Sequence, residues 1–173
     1  MLEPQIDGNY AVESVVGQLP WQTAGDAVTF QWAHFPGDAA GPGDEVTLST
    51  PPYIALAAGS AFANATTTLI RAQDLTVSWT SDAPAAPSDE VVLDVKSGSM
   101  GVYCIFNAGA GEGVMPADVL ESLEAGDGTY SVISKEHAYE NINDGDGAWV
   151  MNFNINALAR TSYGLASGSV TIR

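Results

Sequence analysis

The chain has 173 residues, 46% of them hydrophobic, with 21 acidic side chains against 5 basic ones, a formal net charge of −16 and a single cysteine. That balance argues against nucleic-acid binding, because neutralising phosphates needs clustered Lys and Arg, and Arg71, Lys96, Lys135, Arg160 and Arg173 are isolated. Anionic lipid headgroups are disfavoured for the same reason, disorder is excluded by the apolar content, and no apolar run is long enough for a transmembrane segment.

A chain of this length can bury roughly 70% of the surface its unfolded form exposes, which favours one domain over two small ones. A single domain spanning 1–173 is expected, with residues 1–65 as an N-terminal elaboration on a core from 66 to 173. The scattered acids, from Glu3 to Asp146, read as a solvated surface that keeps the protein soluble. No charged segment followed by an apolar one opens the chain, and Met1-Leu2-Glu3-Pro4 reads as an expression or cleavage scar. One cysteine makes no intramolecular disulfide, which removes the direct marker of an oxidising compartment.

Along the chain, Tyr10 to Val16 and Val28 to Phe35 read as strands; in the second, Val28, Phe30 and Trp32 share one face opposite Thr29 and Gln31. Residues 37–44 hold three Gly and one Pro next to Pro36 and form a loop. Val46 to Leu48 is a short strand stopped by Pro51-Pro52, Tyr53 to Leu56 is a further strand or an irregular edge, and Ala57 to Ala65 fits either a loop or a helical turn. Thr66 to Ile70 recovers β-branched character. Asp74-Leu75-Thr76-Val77-Ser78-Trp79, Val91 to Val95 and Val102-Tyr103-Cys104-Ile105-Phe106 carry the two-residue period of pleated strands.

Gly109 to Gly113 is a flexible turn. Met115 to Leu123 is the best helix candidate, with Pro116 in the first turn, Val119, Leu120 and Leu123 on one face and Gly126 as the stop. Thr129 to Ile133 returns to strand, Asp144-Gly145-Asp146-Gly147 is a turn, Trp149-Met151-Phe153-Ile155 is the longest clean alternation, and Val170 to Ile172 closes the chain as a strand. Many short strands with one short helix near 116–124, and no long crossover helix, predict an all-β fold: an antiparallel two-sheet sandwich, immunoglobulin-like or jelly-roll-like.

From about Thr66 onward the order of parts resembles the immunoglobulin-like β-sandwich of exported proteins and lipoproteins of GC-rich bacteria. The parts are the Leu75–Trp79 strand, the strand with Val91 and Leu93, Val102 to Phe106, the Val114-Met115-Pro116 turn with Leu120 and Leu123, and Gly128 to Val132. The resemblance covers roughly the last hundred residues and implies a sandwich and an exported location while leaving activity open. It would put Trp79 in the buried-Trp role with Cys104 on a facing strand; the second Cys of a conventional immunoglobulin domain is missing.

Candidate sites are few. Cys104 with His137 would suit a thiolate and its base, but an apolar strand poor in cations favours a buried thiol. His34, on the face of Phe30 and Trp32, reads as a packed histidine. Two His and one Cys do not make a zinc site. Asn141, Asn143, Asp144 and Asp146 offer several oxygens in one tight loop, the donor type calcium takes, though the spacing is not that of an EF-hand and Asp-Gly is also ordinary hairpin sequence. The acidic loop Asp82 to Glu90 is a second, lesser calcium candidate. Trp21, Tyr53, Tyr103 and Tyr139 lie at predicted edges or outward positions where a sugar-stacking platform could form, whereas Trp32, Trp79 and Trp149 follow the apolar faces of their strands. Neither a nucleophile elbow nor a dinucleotide-binding glycine pattern is present.

The sequence therefore predicts a noncatalytic, exported or cell-surface module with a structural or protein-interaction role, able to self-associate through a strand edge and needing no cofactor unless calcium. A carbohydrate-binding module is the alternative, and a glycan-active or Cys-dependent hydrolase the third reading.

Overall fold

The computed structural model of the chain describes residues 23–31, 45–64, 67–143 and 148–173. The predicted Tyr10–Val16 strand, Trp21, Trp32, His34, Asp144 and Asp146 lie outside these residues. In chain order the elements are β1 (Ala27–Gln31), β2 (Glu45–Ser49), β3 (Ile54–Leu56), β4 (Thr67–Leu69), β5 (Leu75–Ser81), β6 (Glu90–Ser97) and β7 (Met100–Asn107). A 3-10 turn at Ala108–Ala110 leads to β8 (Glu112–Met115) and α1 (Ala117–Leu120), followed by β9 (Gly126–Asn143), β10 (Ala148–Leu158), β11 (Arg160–Thr161), β12 (Gly164–Leu165) and β13 (Ser167–Ile172). The all-β architecture is the one the sequence predicts.

Two sheets enclose the main core. The larger runs β4-β13-β9-β6-β7 with β10 alongside β9, and the smaller runs β12-β11-β3-β5-β8. Most pairs are antiparallel, but β4 joins β13 and β11 joins β3 in parallel, a detail that strand patterning does not encode. Between the sheets lie Val77 and Trp79 of β5, Val91, Leu93 and Val95 of β6, Val132 of β9 and Val170 and Ile172 of β13. β6 is central, and Val92 of its outer face is buried along with Val91 and Leu93 of the inner face, so the three form a continuous apolar run, while Glu90, Asp94 and Lys96 keep the rest of the outer face polar.

Trp79 ties the sheets together. Its indole Nε1 donates to the Ala108 carbonyl at 2.8 Å, beyond the end of β7, and its ring lies 6.0 Å from that of Phe106. Gly113 on β8 lies so close to Phe106 that a Cβ there would sit 2.5 Å from the ring. Phe62, in the predicted loop-or-helix stretch, adopts a left-handed φ of 64° and is fully buried, its ring stacked on Tyr130 with centroids 4.2 Å apart. Packing holds a bulky residue in a conformation it otherwise avoids.

The helix is shorter than predicted. Pro116 is its N-cap, and the Asp74 carboxylate accepts from Ala117 N–H at 2.9 Å, supplying the cap that proline lacks. Leu120 and Leu123 are buried, but Val119 is exposed, so it does not share their face.

β9 is far longer than the predicted Thr129–Ile133. Its first half carries β13 on one edge, through pairs from Gly126↔Ile172 to Ser131↔Ser167. On that same edge its second half carries β10, from Ile133↔Leu158 to Asn143↔Ala148. The change of partner falls on Val132: its N–H donates to the Ala166 carbonyl (2.9 Å), its carbonyl accepts from Ala159 N–H (2.8 Å), and Ala166 N–H donates to the Ala159 carbonyl (2.7 Å). Between Ala159 and Ala166 the chain detours through β11 and β12 into the other sheet. Val132, Ala159 and Ala166 are all fully buried.

The β9–β10 ribbon extends past the sandwich and carries a second, smaller core. Phe153 and Ile155, with Ala138 and Ala157, meet Val46 and Leu48 of β2, Val28 and Phe30 of β1, and Tyr53. The β1–β2 hairpin is thereby held to the extension. A hidden hydroxyl helps fix the joint, since Ser134 Oγ donates to the Pro52 carbonyl at 2.6 Å.

Ala166→Val adds two methyl groups where no space is left. It is expected to destabilise the fold by about 1–3 kcal/mol, read as a lower urea midpoint with an unchanged m-value.

Candidate functional site

Sites can arise here where a sheet edge or an outward face stays open. Of the strands that end the two sheets, β4 has 3 residues, β8 has 4 and β12 has 2, while β10, paired only with β9 among the described residues, has 11. Short edges give another chain little to pair with. β7 differs: it is 8 residues long, pairs with β6 on one side only among the described residues, and Met100-Gly101-Val102-Tyr103-Cys104-Ile105-Phe106-Asn107 contains no charge and no proline. Its outward residues Tyr103 and Ile105 are 55% and 50% exposed. Acidic side chains stand at both ends, with Glu124 Oε1 accepting from Ser99 N–H and Oγ–H at 3.2 and 3.0 Å and the exposed Glu112 beginning β8.

A second feature is the outer face of the β9–β10 ribbon, opposite the small core. Register places Tyr139 across from Asn152, His137 across from Asn154 and Lys135 across from Asn156. Tyr139 is 57% exposed and meets the His137 ring edge-on at 5.2 Å. Glu90 Oε2 lies 3.8 Å from Lys135 Nζ, an ion pair, and 3.5 Å from His137 Nδ1.

Behind it, on the inner face, the buried Glu136 sits beside Asp89 and Ser88. Burial pushes the Glu136 carboxyl above its usual 4.5; the Ser88 hydroxyl opposes this, while Asp89 adds to it by hydrogen bond and by charge, and His137 opposes. Asp89 is itself buried, its carboxylate accepting from Ala86 N–H. The signal in the sequence was the polar run Lys135-Glu136-His137 inside what proves to be a strand.

The sequence-predicted sites divide differently. Tyr53 is buried in the smaller core with the Arg160 guanidinium stacked 4.6 Å over its ring, so it presents no outward platform. Tyr103 and Tyr139 share the outer face, but Tyr103 aligns through Asp94 with Ser131, eight positions from Tyr139. At 3.4 Å per residue they are about 27 Å apart along the sheet and do not form one platform. Trp21 lies outside the described residues. Asn141 and Asn143 occupy the end of β9, opposite Val150 and Ala148, while Asp144 and Asp146 are outside the described residues. Among the described residues no group of three or more His, Cys, Asp or Glu is arranged to hold a metal, the Asp82–Glu90 loop included.

Cys104 is half-buried against the main core, and burial raises its thiol pKa. It faces inward with Val102 and Phe106, whereas His137 lies on the outer face, so the sheet separates the imagined thiolate from its base. A shallow recess of about 130 Å³ lined by Tyr53, Ile54, Ala55, Thr80, Ser81, Asp82 and Arg160 is smaller than the usual small-molecule site. Among the described residues, no helix is long and apolar enough to cross a membrane. Compared with known proteins, the chain matches no family model, no curated protein and no solved structure.

Two measurements follow from the ionisable groups. A carboxyl whose folded pKa is raised stabilises the fold below its unfolded value and loses that contribution as pH rises through the folded value. The Glu136 contribution to stability should therefore be gained as the pH falls from neutral through its raised value toward the ordinary carboxyl range, and Glu136→Gln should remove this trend and raise the stability measured in urea at pH 7 by roughly 1 kcal/mol. Cys104 should react with a thiol reagent far more slowly in the folded protein than in denaturant, the difference reporting its burial.

Proposed function

We propose that the protein is a noncatalytic β-sandwich module of exported or cell-surface type, immunoglobulin-like in plan, whose role is structural and protein-binding and which self-associates through β7. The observation that carries this reading is the contrast among the sheet edges. Three are blunted by shortness, whereas β7 is long, neutral and flanked on its outer face by exposed Tyr103 and Ile105; β10, the other long neutral strand paired on one side among the described residues, presents exposed asparagines there instead. Natural proteins usually protect such an edge with a charge, a proline or a bulge. An unprotected edge is a template for strand addition, in which backbone hydrogen bonds give affinity and alternate side chains give register.

Antiparallel pairing of β7 with β7 of a second copy would continue the larger sheet across a two-fold axis and cover Tyr103 and Ile105 from both sides. The net charge of −16 opposes this approach at long range, and salt screens it. The exported location rests on the resemblance of residues 66–173 to sandwiches of exported bacterial proteins.

Light scattering after size exclusion, from micromolar to millimolar protein and from low to molar salt, tests the reading. Mass should rise toward a dimer with concentration and with salt, and Ile105→Lys should stay monomeric under all conditions while unfolding at the same urea concentration as the parent. A parent that stays monomeric throughout, or an Ile105→Lys variant that associates equally, overturns it.

A further inference from the structure

We infer that the outer face of the β9–β10 ribbon is a binding strip for a neutral polysaccharide, with the Tyr139 ring as its stacking surface and the amides of Asn152, Asn154 and Asn156 as partners for sugar hydroxyls. The strip lies about 14 to 27 Å along the sheet from the level of Tyr103 and does not depend on association through β7.

The first ground is the choice of residues. Asn152, Asn154 and Asn156 are all exposed and alternate with buried Phe153 and Ile155 and half-buried Ala157. A strand face that only meets water is served by Thr, Ser or charged residues, as β2 does with Glu45, Thr47 and Ser49. Asparagine is among the residues depleted in strands, yet five of the eight in the chain fall between 141 and 156. Three at alternate positions of one strand set aside local preference for something the amide supplies.

The second ground is what an amide supplies. Its carbonyl accepts and its NH₂ donates twice, in one plane, which matches the paired donor and acceptor character of neighbouring hydroxyls. Asn154 Nδ2 donates to Asn152 Oδ1 at 3.0 Å, which holds the two side chains in place and leaves Asn154 Oδ1 and Asn152 Nδ2 for a ligand. Beside them the Tyr139 ring offers an apolar face with a polar tip, steadied by the His137 edge contact. From Asn152 to Asn156 the strip spans about 14 Å, a length suited to an oligomer and not to a single sugar.

Charge selects the class. β10, Ala148–Leu158, has no charged residue, and the nearby Lys135 and His137 are both turned to Glu90. An anionic chain would meet the −16 surface with no free cation on the strip, and a cationic chain would find no carboxylate there that is not already paired.

Affinity electrophoresis through gels containing β-glucan, galactomannan, xylan or dextran, four neutral polymers, is the test. At least one should retard the protein, with Tyr139→Ala and Asn154→Ala each weakening retardation at least tenfold, and Tyr163→Ala, a more exposed ring on the β11–β12 turn, leaving it unchanged. Both strip variants should keep the parent melting temperature, since the groups they remove are exposed. Passage unretarded through all four gels, or retardation of Tyr139→Ala equal to that of the parent, overturns the assignment.

Discussion

The peptide groups of Val132 serve two strands that run in the same direction, one ending and the other beginning at that point. The N–H takes the carbonyl that precedes β13 and the carbonyl takes the N–H that follows β10, while Ala166 and Ala159 close the triangle between themselves. All three residues are without solvent exposure, and a buried backbone group left without its partner costs roughly 1–3 kcal/mol. The detour through β11 and β12 must therefore begin and end at one point. That constraint puts Arg160 beside β3 in the smaller sheet and over Tyr53, and lets β9 run on as a ribbon beyond the sandwich.

Both surfaces proposed as functional depend on this arrangement. The ribbon has two faces because it leaves the sandwich: one is covered by the β1–β2 hairpin, and the other stays open with Tyr139 and the asparagines. β7 is an edge because β6 pairs on its other side with β9, whose own second edge is filled by β13 and β10 in turn. The Asp89–Glu136 pair sits at the seam, where the loop before β6 meets the start of the ribbon. It makes the stability of the seam depend on pH.

Legibility in the sequence followed burial. Strands that alternate or run apolar, such as Leu75–Trp79, Val91–Val95 and Val102–Phe106, could be read because the core imposes its period on them. The second half of β9 could not, because its inner face carries Ser134 and Glu136 and its outer face Lys135 and His137, so neither face shows an apolar stripe. The parallel pairings of β4 and β11 were hidden for another reason, since pairing direction depends on where distant segments arrive. Trp79 as core was readable; its hydrogen bond to Ala108, which ties the sheets, was not. Tyr53 shows the limit for sites: Pro51-Pro52 before it suggested an edge, and only the small core and Arg160 explain why its ring is buried.

Native-state hydrogen exchange measures the central constraint most directly. Local openings expose weakly held amides first, while those closed by the core exchange only when the whole domain unfolds. The account predicts that the amides of Val132, Ala159 and Ala166 are among the slowest in the protein and share one free energy of opening, equal to that of global unfolding in urea. Exchange at Ala159 or Ala166 as fast as at Thr29 or Thr47 of the β1–β2 hairpin would mean that the detour opens on its own, and would contradict it.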